Sequence, residues 1–181
     1  MKATGIVRRI DDLGRVVIPK EIRRTMRIRE GDPLEIYTDK DGEVIFKKYS
    51  PMGELTSFAQ MFADTVNKTT SLPVAISDRD TIIAVSGIPK KDVADKTVSD
   101  QIEKIMEARS VYVYKAGETK KVSLVSSTDK YAAAVVTPII TEGDIIGTVS
   151  LILSDTGAVP TDTEVKISQT TAALLGKQLE T

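Results

Sequence analysis

The residues best suited to chemistry in this sequence are the arginines near its start. Residues 1–29 contain nine basic and three acidic side chains, a net charge of +6, and seven of the nine basic residues are arginine. The guanidinium is planar and always charged, and it binds phosphate or guanine through two parallel hydrogen bonds. The cluster therefore predicts contacts with a nucleic acid. An unevenly charged, solvated surface is the alternative, since the whole chain has a net charge of −1.

Other kinds of chemistry are excluded by composition. The chain has no cysteine and no histidine, which excludes disulfides, thiolate or imidazole zinc sites and histidine-activated nucleophiles. There is no glycine-rich phosphate loop, so we predict neither a cofactor nor a metal. No apolar run approaches the length that spans a bilayer, and no secretory signal is recognisable, so the expected location is the cytoplasm.

Short strands and one short helix must position the arginines. Alternating cationic and apolar residues predict a strand over 6–10, and the β-branched run 16–18 predicts a second strand after a turn at Asp11–Gly14. Pro19 suits the start of a helix over 20–26, where a missing N–H is harmless. Residues 34–37 and 44–46 then form a hairpin around Asp41 and Gly42.

Two hairpins and a two-turn helix in about fifty residues cannot bury much apolar surface. Domains this small depend on a metal, a disulfide or a partner. Since metal and disulfide are excluded, self-association remains. Two copies would interleave their strands into one barrel, and each arginine would appear twice about a two-fold axis, an arrangement that suits a pseudo-palindromic duplex.

The same residues resemble a known family. Residues 4–19 (TGIVRRIDDLGRVVIP), followed by EIRR at 21–24, LEIY at 34–37 and KKY at 47–49, are similar to the swapped-hairpin DNA-binding domain of the AbrB transition-state regulators. The resemblance implies a looped-hinge barrel of intertwined dimers that binds double-stranded DNA with low sequence stringency. It also implies which basic side chains contact DNA. The principal contacts are Arg8, Arg15, Arg23 and Arg24, and the secondary candidates are Lys2, Arg9, Lys20 and Arg27.

The second half of the chain has a different character. Residues 51–181 carry 13 basic and 17 acidic side chains, and the hydrophobic period changes after residue 50. A helix stripe from Leu55 to Val66, several strands, a second helix near Ile102 and a C-terminal helix predict an α+β domain with an antiparallel sheet. A Thr161–Glu164 capping box starts the last helix. The predicted domains are 1–50, a linker and helix start at 51–55, and a sensor domain at 56–181.

The element order of the second domain resembles a GAF domain, a small-molecule-sensing fold. Both domains together resemble a family of sporulation regulators that activate and repress transcription in spore-forming bacteria. This implies a homodimer through the first domain, a homotetramer through helices 54–67 and 161–179, and a nucleoid-associated protein of the forespore. An unknown small molecule is the expected effector.

Candidate ligand-binding residues in the second domain are chosen by residue type and position alone. Ser86, Thr137 and Ser150 are polar residues on predicted strands, and Arg109, at the end of a helix, could neutralise an anionic ligand. Strand-end hydroxyls and a basic residue that complements a helix dipole are the structural alternatives.

Three other functions remain open on sequence grounds. An enzyme would need a constellation of catalytic residues with fixed spacing, and none is recognisable. An antitoxin of the MazE type would share the swapped-hairpin module, but would carry a short disordered tail rather than 130 residues with a core pattern. The second domain could also be purely structural, a dimeriser that binds no ligand.

Overall fold

The computed structural model describes residues 4–180. Contacts within the chain divide it into two compact units, Met1–Tyr49 and Ser50–Thr181. The division falls between Tyr49 and Ser50, next to the boundary expected at residue 50.

The first unit contains one short helix, α1 (Lys20–Thr25), and a hairpin of β1 (Leu34–Thr38) and β2 (Val44–Lys48). The two strands pair antiparallel, with Leu34 opposite Lys48 and Thr38 opposite Val44. Asp39 closes the turn, since one of its carboxylate oxygens accepts hydrogen bonds from the backbone N–H groups of Asp41 and Glu43, both at 3.0 Å. The predicted hairpin and helix are confirmed.

The strands predicted over 6–10 and 16–18 are absent from the structure, and that prediction is wrong for the single chain. Residues 4–19 include no strand. The turn between them is present, because the N–H of Gly14 donates to the carbonyl of Asp11 at 3.0 Å and Gly14 has a φ of +75°. The side chains favour extended backbone, but a strand also requires a neighbour to satisfy its N–H and C=O groups. No described segment of this chain supplies that neighbour.

The first unit leaves its apolar side chains in solvent. Among residues 4–49, Pro19 alone is buried. Val7 is 85% exposed, and Val17 is 72% exposed. The other large apolar side chains more than a third exposed here are Ile6, Ile10, Leu13, Val16, Met26, Ile36, Tyr37, Val44, Phe46 and Tyr49. The unit therefore has no apolar core of its own in the described chain.

The second unit is an α+β domain, as predicted. Its elements in chain order are α2 (Pro51–Glu54), α3 (Thr56–Thr70), β3 (Val74–Asp78), β4 (Ile82–Ser86), α4 (Lys90–Val93), α5 (Asp100–Glu107), β5 (Tyr112–Val113), β6 (Ser123–Val125), β7 (Thr128–Thr141), β8 (Asp144–Ile152) and α6 (Asp162–Gln178). The sequence pattern did not reveal the short elements α2, α4 and β5, which are too brief to show a period.

The strands of this unit form one antiparallel sheet with the order β4-β3-β8-β7-β5, and β6 also pairs with β7. The long hairpin β7–β8 is the centre of the sheet, with Val136 opposite Ser150 and Thr137 opposite Val149. Residues 133–139 and 146–152 are all buried. Such continuous burial means that both faces of the sheet are covered.

Two apolar clusters cover these faces. Alternate residues of a strand point to opposite faces, and Val74 and Ile76 accordingly pack with α3 and α6, whereas Ala75 packs with α4, α5 and β6. The helix starts are fixed by side chains. Thr161 and Glu164 form the predicted capping box of α6, and Ser99 caps α5 by accepting from the N–H of Ile102.

The outer edge of β4 is closed by a side chain of α3. The Gln60 amide donates from Nε2 to the carbonyl of Val85 at 2.9 Å, and its Oε1 accepts from the Val85 N–H at 3.4 Å. An open strand edge can pair with another chain. Gln60 therefore both attaches α3 to the sheet and occupies one of the positions at which a foreign strand would add.

The residues that follow the unit boundary belong to the second unit. Met52, in α2, is fully buried within the cluster on the α3 side. The Ser50 hydroxyl accepts from the N–H of Gly53 and donates to the Asp78 carboxylate at 3.0 Å. Residues 50–54, part of which was expected to be linker, are therefore held on the second unit by hydrogen bonds and a buried side chain.

Gly147 should be required by the contact between β8 and β3. A Cβ atom there would lie 1.9 Å from the carbonyl oxygen of Ser77, which is backbone and cannot move aside. We expect Gly147→Ala to lower the free energy of unfolding of the second unit by about 1–3 kcal/mol, as overpacking does. Urea unfolding of the full chain measures this.

The matched control is Gly53→Ala, because a Cβ at Gly53 meets Ser50 at an ordinary 3.5 Å. It should leave stability unchanged or raise it by less than about 1 kcal/mol, the helix-propensity gain of alanine over glycine. Equal unfolding midpoints for Gly147→Ala and the wild type would contradict the close approach.

Candidate nucleic-acid interface and candidate ligand site

The turn at residues 11–15 presents the first of the predicted DNA-contacting arginines. One Asp11 carboxylate oxygen accepts from the N–H groups of Leu13 (3.0 Å) and Arg15 (2.8 Å), and the other accepts from Nε of Arg15 at 2.8 Å. The backbone N–H and then the guanidinium of Arg15 hold the pKa of Asp11 below its ordinary value. Asp11 was not predicted as a site residue, although an aspartate followed by Asp-Leu-Gly is a recognisable Asx-turn signal.

The remaining principal candidates are exposed. Arg8 lies in the segment before the turn, which has no regular secondary structure, and Arg23 and Arg24 lie on α1. None of the three makes an ion pair with another described residue. Guanidinium groups with free hydrogen-bond donors in solvent are suited to binding an anionic partner.

The secondary candidates differ among themselves. Arg9 and Lys20 are exposed. Arg27 is half-buried with a φ of +52°, and its Nη1 is enclosed without a hydrogen-bond partner among residues 4–180. The carbonyl of Arg27 accepts from Nζ of Lys48 at 2.8 Å. Arg27 is therefore less accessible to DNA than Arg9 or Lys20. Lys2 lies outside the described residues.

The four candidate ligand residues of the second unit do not meet at one place. Thr137 hydrogen-bonds to Ser168 of α6, between hydroxyl oxygens 2.8 Å apart. Ser86 lies on the same side of the sheet, where its hydroxyl is 3.5 Å from Oδ1 of Asn67 in α3. Ser150 is opposite Ala75 and Val136, which pack on the other face. Arg109 is exposed beyond the end of α5, with a φ of +51°.

One small cavity of about 50 Å³ opens near the end of the sheet. Its wall includes Leu72, Ala134, Leu151, Val159 and Glu164. None of the four candidate residues lines it. Ligand pockets for metabolites are several times larger, so this cavity holds at most a few waters. Within residues 4–180 there is also no group of three or more Asp or Glu side chains placed to hold a metal ion.

The helices of the described chain include none that is long and apolar enough to cross a membrane. A cationic hairpin module joined to a separate α+β domain is an organisation suited to a two-domain nucleic-acid-binding protein.

Comparison with known proteins places the chain more closely. Residues 54–180 match the family described as "Stage V sporulation protein T C-terminal, transcription factor". Over 99% of both chains, the sequence is 51% identical to stage V sporulation protein T of Bacillus subtilis (strain 168). The chain belongs to the stage V sporulation protein T family of transcription factors. The predicted family resemblance and the prediction of a transcription regulator rather than an enzyme are thereby confirmed.

Each unit also has its own relatives. Residues 7–53 match the family described as "Antidote-toxin recognition MazE, bacterial antitoxin". A stretch of 51 residues is 65% identical to the transition state regulatory protein AbrB of B. subtilis, covering 28% of this chain and 52% of AbrB. The GAF domain of an Acinetobacter phosphoenolpyruvate-protein phosphotransferase superposes with a TM-score of 0.58 at 10% identity, covering 74% of this chain and 84% of that one. The AbrB-like and GAF-like assignments of the two units are confirmed.

The Thr137–Ser168 hydrogen bond allows a test of whether Thr137 is structural. Both residues are buried, at 6% and 0% exposure. Thr137→Val or Ser168→Ala alone leaves the other hydroxyl without this partner, so each should lower the free energy of unfolding by about 1–3 kcal/mol. Replacing both partners removes that penalty, and the double variant should be more stable than the sum of the single effects predicts. Urea unfolding of the four proteins measures the coupling.

Additive losses in this cycle would show that the hydroxyls do not depend on each other. Thr137 would then be available to another partner, and its candidacy as a ligand residue would be strengthened.

Proposed function

We propose that this protein is a sequence-preferring regulator that binds double-stranded DNA as a dimer of its first unit and activates and represses sporulation genes. The observation that carries the proposal is the combination of three exposed arginines that make no ion pair with other described residues, Arg8, Arg23 and Arg24, with a unit that buries almost none of its apolar side chains. The exposed arginines are suited to binding a polyanion, and the exposed apolar side chains are suited to burial against a partner chain.

The argument for the dimer is energetic. Burial of apolar surface contributes roughly 25 cal/mol per Å², and the first unit obtains almost none of it alone. Val7, Val17 and Ile10 lie in the segments that were predicted as strands but have no strand neighbour. A second copy that paired with these segments would cover the side chains and satisfy the backbone together. The swapped-hairpin barrel is the arrangement that does both.

The proposed DNA contacts are those predicted from the sequence, Arg8, Arg15, Arg23 and Arg24, with Arg9 and Lys20 in support. The helix α1 has six residues, too few to lie along a major groove and read many base pairs. Most of the affinity should therefore come from phosphate neutralisation, with groove shape and deformability setting preference.

The second unit supplies a surface for the proposed tetramer. Helices α3 and α6 cover the same face of the sheet, and each keeps a large apolar side chain exposed on its outside, Met61 (54%) and Leu174 (49%). Phe58, Phe62 and Ile167 beside them are half-buried. A helical bundle between two second units, through 54–67 and 161–179, would bury this stripe.

The GAF-like fold supports the proposal that the second unit senses an unidentified small molecule. Membership of the family supports a cytoplasmic, nucleoid-associated location in the forespore. The antitoxin alternative is disfavoured by the packed core of residues 50–180, because a toxin-wrapping tail would be disordered before binding. A purely structural second unit is the remaining alternative.

Salt dependence tests the proposed contacts. If four arginines per protomer each neutralise a phosphate in a dimer, log affinity should fall against log salt with a slope of roughly −7, taking about −0.9 per contact. Fluorescence anisotropy with a labelled duplex carrying one site measures the slope. Arg8→Gln should reduce its magnitude by about 2, since the dimer loses two contacts.

Lys115→Gln is the control for Arg8→Gln, because Lys115 is an exposed cation of the second unit. It should leave the slope unchanged. A wild-type slope near −2 would contradict extensive arginine–phosphate contact.

The short connection between the units should set the spacing of the two DNA-binding dimers in a tetramer. The second dimer binds at an effective concentration that depends on linker length. Three Gly-Ser pairs inserted between Tyr49 and Ser50 should broaden the dependence of affinity on the spacing between two sites in one duplex. The insertion precedes Ser50 because residues 50–54 are held on the second unit.

The control carries the same insertion between Thr119 and Lys120, both exposed in a loop of the second unit, and should keep the wild-type spacing profile. An unchanged profile after the Tyr49–Ser50 insertion would show that the connection does not set the geometry. Equal wild-type affinity for one-site and two-site duplexes would contradict the tetramer.

A further inference from the structure

Among the exposed arginines of the first unit, Arg15 is held by a carboxylate. We propose that Asp11 is a positioning residue that presents Arg15 to the major-groove edge of a guanine, so that Arg15 contributes sequence preference rather than phosphate neutralisation. This inference rests on the proposed DNA-binding function and assigns different roles within the proposed set of contacts.

The geometry fixes the guanidinium to the backbone through one side chain. Oδ1 of Asp11 accepts from the N–H groups of Leu13 and Arg15, and Oδ2 accepts from Nε of Arg15 at 2.8 Å. The same carboxylate therefore shapes the turn and orients the arginine. The Arg15 side chain remains 69% exposed, so the orientation is compatible with an incoming ligand.

Asp11 uses only one of the three nitrogens of the guanidinium. The terminal Nη1 and Nη2 of Arg15 make no hydrogen bond or ion pair with other residues in the range 4–180. These two groups are the pair that donates in parallel to O6 and N7 of guanine, the commonest specific arginine contact with DNA. A guanidinium restrained at Nε loses less conformational freedom when this contact forms.

The charge of the pair argues against a phosphate role. Asp11 and Arg15 together carry no net charge, and the carboxylate repels a nearby phosphate. Arg8, Arg23 and Arg24 have no carboxylate partner among the described residues. The charge of those three arginines is therefore fully available to attract the DNA backbone. The carboxylate beside Arg15 orients the guanidinium but weakens its long-range attraction to DNA.

The salt slope changes accordingly. Three phosphate-binding arginines per protomer in a dimer give a slope of about −5.5 instead of −7. Arg15→Gln should leave the slope within about 0.5 of the wild type, while Arg8→Gln should still reduce its magnitude by about 2.

The direct experiment removes the N7 acceptor from DNA. The probe is a duplex enriched by in vitro selection on the full chain, in which each dG is replaced singly by 7-deaza-dG. The variants are Asp11→Asn and Asp12→Asn, which remove the same charge from adjacent positions. Asp12 is exposed and makes no hydrogen bond or ion pair with the rest of the described chain. The Asp11→Asn variant keeps one side-chain oxygen for the backbone N–H groups, but its amide nitrogen then faces Nε of Arg15 and cannot accept from it.

We expect the wild type and Asp12→Asn to lose about fivefold or more in affinity when one particular dG is replaced, as for loss of a guanine contact worth about 1 kcal/mol. Asp11→Asn should lose less than about twofold at every position. Arg15→Ala, which removes every side-chain donor, should be equally insensitive and does not alter the turn-forming carboxylate.

Equal sensitivity of Asp11→Asn and Asp12→Asn would overturn the positioning role. A wild type that is insensitive at every dG would overturn guanine recognition by Arg15. Both results leave the proposed function intact, since the duplex is still bound. Failure of the wild type to bind any duplex would instead overturn the proposed function itself.

Discussion

The inability of the first unit to bury its own apolar side chains is the constraint on which its other properties depend. A folded domain is stabilised mainly by apolar burial, which must offset the conformational entropy of the ordered chain. Val7 and Val17 are more than two-thirds exposed in the single chain, and Pro19 is the one buried residue among 4–49. In the proposed dimer, a partner chain is part of the fold rather than an addition to it. Each arginine would then occur twice about a two-fold axis, which would match the symmetry of a palindromic duplex.

The second unit buries its apolar side chains within one chain. Its sheet is covered on both faces, and glycines allow elements to pack closely against it. Gly147 lies against the backbone of Ser77, and Gly176 of α6 lies against the carbonyl of Ile140. Because this unit needs no partner to fold, the apolar stripe on its outer helices is free to serve assembly. In the proposed assembly, association of the first unit would be tied to its folding, whereas the second unit could associate or dissociate without unfolding.

Sequence reasoning succeeded where local patterns determine structure. The stripe of α3 and the capping box of α6 were predictable because period and cap lie within a few residues. The strands over 6–10 and 16–18 were not found, because a strand depends on a neighbour that the pattern cannot provide. Candidate ligand residues failed to converge for a related reason. The hydrogen-bond partner of Thr137 is Ser168, 31 residues away. The sequence of a strand does not show which face of the sheet a distant helix will cover.

The role proposed for Asp11 would separate affinity for DNA from preference for a sequence. Affinity that arises from phosphate contacts is the same for every sequence and decreases as salt rises. A neutral Asp11–Arg15 pair adds little to that attraction, so the preference it confers persists at salt concentrations where phosphate contacts weaken. In a dimer two such pairs would select two guanines at a fixed separation, while the unpaired arginines accept any backbone. A protein built in this way binds many related sites, and its discrimination among them depends on a carboxylate that does not itself touch DNA.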